Sequence, residues 1–193
     1  MKAMNEVKNF CTTDICSKYF KFSLKKTAIS PFEDNMPNDM RKLFSYYLHH
    51  APNIESVYST EISAELHKDI FLKMFDGRNY KYENFCASNA VIEKELEKGS
   101  LNGESFCCKC KRYVCKKKKG RTGLPQETDL ECFLRHIRNA IAHGRVYLYH
   151  SGNIIYILFE DINATGNISA RIVCNKADLK HWKKVLTENT QQN

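Results

Sequence analysis

The sequence predicts a mainly α fold: a helical bundle with a small antiparallel β-meander between its last two helices. Three observations lead to this prediction. Apolar residues recur at helical spacing before residue 99, alternate with polar residues over 145–174, and return to helical spacing over 176–188. At 193 residues the chain has the length of one domain and can bury about 70% of its unfolded surface. We therefore expect a single domain over residues 1–193 that needs neither a disulfide nor a metal to fold.

Three amphipathic helices are expected in the first half of the chain. The segment "NDMRKLFSYYLHHA" starts at a cap formed by Asn38 or Asp39 and stops before Pro52, because a residue before proline disfavours the helical conformation. The segment "STEISAELHKDIFLKMFDG" runs from a serine or threonine cap to a terminal glycine, and a third helix covers "ENFCASNAVIEKELEKG". The first thirty residues are consistent with either one helix or an irregular arm.

Residues 99–125 have a different composition from the helices around them. The segment "GSLNGESFCCKCKRYVCKKKKGRTGLP" contains four glycines, a proline, clustered cysteines and eight basic residues. Glycine and proline interrupt regular structure, and runs of like charge repel each other. We therefore expect a loop or partly extended insertion.

The second half begins with a helix over residues 126–143. It is followed by three alternating segments, "RVYLYH", "NIIYILFEDI" and "SARIVCN", separated by turn residues. These segments predict a small antiparallel meander within residues 145–174. An amphipathic helix over 176–188 then closes the chain.

The 126–143 helix has two distinct sides. At about 100° per residue, four apolar residues fall on the side that we expect to pack on the bundle: Leu130, Leu134, Ile137 and Ile141. Four others form an opposite stripe about 60° wide that we expect to face outward: Cys132, His136, Asn139 and His143. Arg138 lies about 140° round the helix from His143, so one helix does not bring these two side chains together.

Charge and cysteine content narrow the class of protein. A net charge of +8 favours a polyanionic partner such as nucleic acid or an anionic membrane surface. Nine cysteines, an odd number, together with no signal peptide and no apolar run long enough to span a bilayer, predict a protein of the reducing cytoplasm.

The segment "RNAIAHG" resembles the signature of the HEPN family (higher eukaryotes and prokaryotes nucleotide-binding domains). That signature is an arginine, a polar residue, three further residues and a histidine at the end of a helix. Arg138, Asn139 and His143 occupy these positions, and Gly144 follows. The wider span "FLRHIRNAIAHG", followed by strands and a last helix, is similar to a HEPN subgroup encoded on bacterial plasmids and defence loci.

The resemblance implies a HEPN-type helical bundle that forms a homodimer, with two copies of the motif helix lining one cleft. It implies a metal-independent endoribonuclease, without a cofactor, that acts as a toxin or phage-defence effector. His143 would exchange a proton with the ribose 2′-hydroxyl or the leaving oxygen, Arg138 would hold the phosphate, and Asn139 would position the imidazole or the RNA. In some family members a nucleotidyltransferase antitoxin is the partner and a tyrosine stands two residues after the histidine; here that position is Arg145.

Further RNA contacts are expected beside the motif and in the basic insertion. These candidate RNA-binding residues are Arg135, His136, Lys116, Lys117, Lys118, Lys119 and Arg121. Tyr113 is available there to stack on a base.

Two other functions are compatible with the sequence. One is a HEPN-like module without catalysis that binds RNA, a nucleotide or a partner protein. The other is a zinc-dependent nucleic-acid binder that uses Cys107, Cys108, Cys110 and Cys115. A second ligand pair at a suitable distance is missing from the sequence, which favours reduced thiols over a zinc site.

Overall fold

The computed structural model describes residues 28–29, 36–49, 64–82, 84–85, 92–104, 110–120, 122 and 126–190. Five helices and six strands follow one another along these residues. In chain order they are β1 (Ala28–Ile29), α1 (Asn38–His49), α2 (Ala64–Phe75), β2 (Asn84–Phe85), α3 (Ile92–Lys98), β3 (Arg112–Lys116), α4 (Asp129–Ala142), β4 (Val146–Ser151), β5 (Ile154–Ile162), β6 (Ile168–Asn175) and α5 (Lys176–Thr190).

All six strands belong to one mixed sheet, in the order β1-β4-β5-β6-β3-β2. Neighbouring strands are antiparallel except β2 and β3, which are parallel. The prediction of a mainly α bundle with a small meander is therefore wrong, because the sheet is the central layer of the fold. The meander itself is confirmed: β4, β5 and β6 form consecutive antiparallel pairs.

Three strands of the sheet, β1, β2 and β3, were missed, and for β2 and β3 the composition of the segment hides the structure. β3 lies inside the basic insertion, where its backbone pairs with β6 and its side chains are buried on both faces. β2 lies at the start of the predicted third helix, which begins only at Ile92. In both segments hydrogen bonding to a distant strand determines the conformation, and tertiary pairing of this kind overrides local propensity.

Helices cover both faces of the sheet. On one face α1, α2, α4 and α5 form the larger core with the inward side chains of the strands, among them Ile157 and Phe159 of β5. On the other face α3 packs on the alternate side chains, among them Leu158 of β5 and Val173 of β6. Successive residues of a strand point to opposite faces, so the strands are apolar on both sides over their central residues.

Two buried hydrogen bonds fix α5 against the other helices. The indole Nε1 of Trp182 donates to the carbonyl oxygen of Met74 at the end of α2, at 2.9 Å. The hydroxyl of Tyr47 in α1 donates to the carbonyl oxygen of Leu179, at 2.8 Å. Trp182 and Tyr47 are fully buried, so these bonds satisfy polar atoms that would otherwise be costly to remove from water. None of the described helices is long and apolar enough to cross a membrane.

The two ends of α4 are defined by local sequence. Thr128 and Glu131 form a capping box, in which each side chain accepts a hydrogen bond from the backbone of the other. At the other end, Gly144 adopts φ +64°, its N–H donates to the carbonyl of Ile141, and the N–H of Arg145 donates to that of Ala140. This is a Schellman ending, and it places His143 at the C-cap of α4.

The left-handed conformation of Gly144 yields a stability prediction. Replacement by alanine should lower the free energy of unfolding by about 1–2 kcal/mol, because a Cβ is strained in this region of backbone space. Gly144→Asn should cost less, since asparagine tolerates the left-handed conformation better. Chemical denaturation of the three proteins measures the difference, and equal stability of the alanine variant and the wild type would contradict the assignment.

Candidate functional site

The three motif residues lie at the C-terminal end of α4. Arg138 and Asn139 are partly exposed and His143 is exposed, whereas Ala140 and Ile141 between them are fully buried. His143 has left the helix, with φ −94° and ψ 8°, and its backbone N–H donates to the carbonyl of Asn139 at 2.9 Å. Ala140 and Ile141 therefore pack inward, while Ala142 and the three polar side chains of the motif reach solvent near the end of the helix.

The side chain of Asn139 is hydrogen-bonded to a carboxylate of the sheet. Its Nδ2 donates to Oδ2 of Asp161 in β5, at 3.1 Å. The same Oδ2 lies 2.7 Å from Nδ1 of His136, one turn earlier in α4. The other ring nitrogen of His136, Nε2, donates to the carbonyl oxygen of Lys116 at 3.0 Å. One carboxylate thus fixes the amide of Asn139 and leaves the amide oxygen to accept a bond from a ligand.

His136 and Asp161 hold one proton between them. Burial lowers the pKa of His136, and the hydrogen bond to Asp161 only partly offsets that effect. Burial raises the pKa of Asp161, but hydrogen bonds from His136 and Asn139 outweigh it and leave the pKa below its ordinary value. Because Nε2 already donates to Lys116, the short contact at Nδ1 requires a proton shared with Asp161. We assign the negative charge to Asp161, in line with its lowered pKa, and the shared proton to Nδ1 of His136, because both ring nitrogens face acceptors. The carboxylate holds that proton against the pKa-lowering effect of burial.

A second buried ion pair, between Arg135 and Glu127, lies beside the pair of His136 and Asp161. Arg135 binds Glu127 in a bidentate manner, with Nε–Oε1 2.6 Å and Nη2–Oε2 2.9 Å, and Nη2 also donates to the carbonyl of Lys116. Burial raises the pKa of Glu127, but the bonds from Arg135 and from the backbone N–H of Lys118 outweigh it, so the net pKa is lowered. Arg135 and His136 together attach α4 to the end of β3.

These contacts change the interpretation of the helix. The stripe of Cys132, His136, Asn139 and His143 was expected to face outward, and this is wrong for Cys132 and His136, which are 0% and 1% exposed. α4 is packed between helices and sheet, so its polar side is covered for most of its length. The proposed RNA contacts at Arg135 and His136 gain no support from the structure, because both side chains are engaged with protein groups.

Two residues of the network, Asp161 and Glu127, were not selected from the sequence. Asp161 shares the inward face of β5 with Ile157 and Phe159, and an acidic residue on an apolar strand face signals a buried partner. That signal was present in "YILFEDI", although its partner could not be named. Glu127 precedes the capping box of α4 and carried no comparable pattern.

The four lysines of the basic run, residues 116–119, differ in their exposure and contacts. The side chain of Lys117 pairs with Asp129 at 2.9 Å, Lys118 and Lys119 are exposed, and Lys116 is partly buried. Arg121 lies outside the described residues. The contact of the exposed lysines with RNA stays a prediction. Tyr113, considered for base stacking, is 3% exposed and belongs to the core.

The cysteines of the insertion give no support to a zinc site. Cys107 and Cys108 lie outside the described residues, Cys110 is partly buried and Cys115 is fully buried. Burial raises the pKa of the Cys115 thiol, which disfavours the thiolate that binds zinc. Within the described part of the chain, no group of three or more potential ligands is placed to hold a metal ion.

The buried pair of His136 and Asp161 predicts that replacing Asp161 lowers the free energy of unfolding in a pH-dependent way. Asp161→Asn leaves the His136 proton without a carboxylate and should lower the free energy of unfolding at pH 7 by about 3 kcal/mol. Because the folded-state pKa of Asp161 is lowered, its charge contributes stability above the unfolded-state pKa of about 3.9 and loses it as pH falls through the folded value. The gap between wild type and variant should therefore shrink as the pH falls below about 4.

A matched control is Asp129→Asn, the same substitution at an exposed ion pair of α4. It should cost less than about 1 kcal/mol. Urea denaturation across pH measures all three proteins. A gap for Asp161→Asn that equals the control, or that stays unchanged at acid pH, would contradict a charged Asp161.

Comparison with known protein families gives one match. Residues 71–190 match the model of the family described as HEPN pEK499 p136. No curated protein and no solved structure matches the chain. The matched residues include all of α4, the β4–β6 meander and α5, and with them the motif of Arg138, Asn139 and His143. More than half of the chain is matched, so it belongs to the HEPN pEK499 p136 family.

Proposed function

We propose that this protein is an endoribonuclease that cleaves RNA without a metal ion, at the end of α4. HEPN domains are frequently endoribonucleases. The observation that supports this function best is that Arg138, Asn139 and His143 are all at least partly exposed near the C-terminal end of α4, while the adjacent His136 and Asp161 are buried and bonded to each other. A histidine and an arginine at an exposed helix end supply a proton carrier and a permanent cation.

The proposed reaction uses the 2′-hydroxyl of RNA as the nucleophile. His143 takes the 2′-hydroxyl proton, the 2′-oxygen bonds to the adjacent phosphorus, and the P–O5′ bond breaks. The leaving 5′-oxygen takes a proton, from a protonated histidine or from water, so the products are a 2′,3′-cyclic phosphate and a 5′-hydroxyl. Arg138 stabilises the charge that develops on the phosphate oxygens. Asn139, fixed by Asp161, orients the imidazole or the RNA through its amide oxygen. DNA lacks the nucleophile and is not a substrate.

We propose that the site is completed by a second copy of the chain. Arg138 stands about 140° from His143 on the helical projection, so two copies of α4 would allow Arg138 of one protomer to face His143 of the other. Two-fold pairing also gives the same contacts twice, as is usual in homodimers. Cleavage of cellular RNA would make the protein a toxin or phage-defence effector, restrained in the host by an antitoxin or other regulatory protein.

A cleavage assay in EDTA tests the activity. Wild-type protein should cut single-stranded RNA and leave a 2′,3′-cyclic phosphate, whereas His143→Ala should lose about 10²–10⁴-fold because the proton carrier is gone. Arg138→Ala should be similarly impaired. His150→Ala, the same substitution at an exposed histidine of β4, should retain full activity. The corresponding DNA should stay intact.

Two outcomes of this assay would reject the endoribonuclease. Equal cleavage by wild type and His143→Ala would point to a contaminant or another site. RNA that is bound with a steep salt dependence but never cut would instead identify a HEPN-like binding module. In cells, growth arrest by the wild type and not by His143→Ala would support the toxin role.

A mixing experiment tests the composite dimer. If Arg138 and His143 of different protomers form one site, a heterodimer of His143→Ala and Arg138→Ala protomers has one intact site and one doubly defective site. An equal mixture of the two inactive variants, exchanged by refolding, should then recover about a quarter of wild-type activity, since half of the dimers carry half of their sites. No recovery, in a mixture shown by mass measurement to contain dimers, would place both residues in the same protomer.

A further inference from the structure

A basic groove lies between α1 and α5, in elements separate from the motif helix. Its volume is about 430 Å³, and six residues line it: Asn38, Arg41, Lys42, Ser45, Tyr46 and Lys183. Three of these side chains carry a positive charge and none carries a negative one. The groove is largely open to solvent, and its volume is sufficient for a ligand about as large as a nucleotide.

The groove follows from the helical period of α1. Residues 38, 41, 42, 45 and 46 recur at the spacing of one helix face, and the opposite face supplies Met40, Leu43, Phe44 and Tyr47 to the core. The apolar face fixes the helix, so the polar face is presented beside α5. Packing in the core therefore fixes the position of the α1 backbone, which forms one wall of the groove.

Of the lysines of α5, Lys183 lines the groove, and two others precede it on the same side of the helix. Lys176, Lys180 and Lys183 recur at spacings of four and three residues and run alongside α1. Lys176 pairs with Asp39, and Lys180 lies 3.7 Å from the same carboxylate. One acidic residue therefore faces two lysines at this end, and the groove keeps a net positive charge.

Tyr46 gives the groove an aromatic surface. Its ring is partly buried, lies edge-on to the buried ring of Tyr47 at 5.4 Å, and has Nζ of Lys183 at 4.9 Å from its centroid. Its hydroxyl is 3.5 Å from Oγ1 of Thr187 on α5. These contacts hold the ring in place, and Lys183 covers one of its faces. An aromatic ring beside cations receives an unpaired base next to its phosphate once the lysine moves from the ring to that phosphate.

We propose that this groove binds single-stranded RNA, with a phosphate at Arg41, Lys42 and Lys183 and an unpaired base against Tyr46. The choice of RNA rests on the proposed function, since the charge and the aromatic ring require only a nucleotide phosphate with a free base. Asn38 and Ser45 offer hydrogen-bonding groups to the base or sugar. The groove would hold part of the RNA at a distance from the motif and so favour long substrates over short ones.

Binding is tested in a His143→Ala background, so that the RNA stays intact during the measurement. Fluorescence anisotropy with a labelled oligoadenylate gives the affinity at several salt concentrations. Lys42→Gln/Lys183→Gln should lower the slope of log affinity against log salt by about 0.7, because the two lysines share one phosphate and each single-strand phosphate contact contributes about 0.7. Lys68→Gln/Lys94→Gln removes the same charge at exposed positions of α2 and α3 and should leave the slope unchanged.

The aromatic contact is tested separately. Tyr46→Ala should weaken oligoadenylate binding about tenfold, while Tyr46→Phe, which keeps the ring, should bind as the parent does. Duplex RNA should bind more weakly than the single strand, because its bases are not free to stack. Free AMP should compete less well than the oligoadenylate, because it occupies the groove alone and does not extend to the motif.

Three results would overturn the proposal: the same salt slope in both lysine double variants, equal affinity of the two Tyr46 variants, or binding of AMP as tight as that of the oligoadenylate. The last result would assign the groove to free nucleotides. Failure of the groove is distinguishable from failure of the endoribonuclease, because cleavage in EDTA is measured on chains with an intact groove. RNA bound through the groove without any cleavage would reject the activity and keep the groove.

Discussion

The side of α4 that faces the sheet is polar, and its buried groups must all find partners. Asp161 accepts hydrogen bonds from both His136 and Asn139, and the carbonyl of Lys116 accepts from both His136 and Arg135. A shift of α4 along β5 would break several of these bonds at once and leave a buried charge unpaired, which costs far more than a lost surface contact. The network therefore fixes the register of the motif helix on the sheet.

Two consecutive acidic residues of β5 bind partners on opposite faces of the sheet. Asp161 points towards α4 and meets His136, while Glu160 points to the opposite face and meets Arg171 at 2.7 Å. Arg171 also donates to the carbonyls of Leu101 and Gly103, at 2.6 Å each, and so fastens the chain after α3 to the sheet. The strand period of two separates the pair, so that each carboxylate stabilises a different layer.

The two surfaces that we propose to contact RNA lie in different parts of the chain. The motif lies within the residues that match the HEPN pEK499 p136 family, whereas α1, which supplies most of the basic groove, precedes them. Lys183 of α5 belongs to the matched part and connects the two regions across the groove. The positive charge of the chain is thus not confined to the lysine run of the insertion, where the sequence made it most visible.

Sequence reasoning was accurate wherever structure follows from local pattern. α1, α5 and the three strands of the meander occur within a few residues of their expected positions, because each carries a clear period of 3.6 or 2. The end of α4 was equally readable, since a glycine is the residue that accepts the left-handed turn after His143. The motif itself needed only the identity and spacing of three residues.

The pairing of strands that are far apart along the chain could not be predicted from the sequence. β3 is hidden in a run of lysines and cysteines, and it is a strand because its backbone bonds to β6 some sixty residues later along the chain. The same holds for His136, whose position on a polar stripe suggested solvent and whose ring is buried against Asp161 and Lys116. The sequence by itself determined the helix periods, the meander and the family motif. Only the tertiary structure decided which polar residues are buried, because a partner's position depends on strand pairing and not on spacing along the chain.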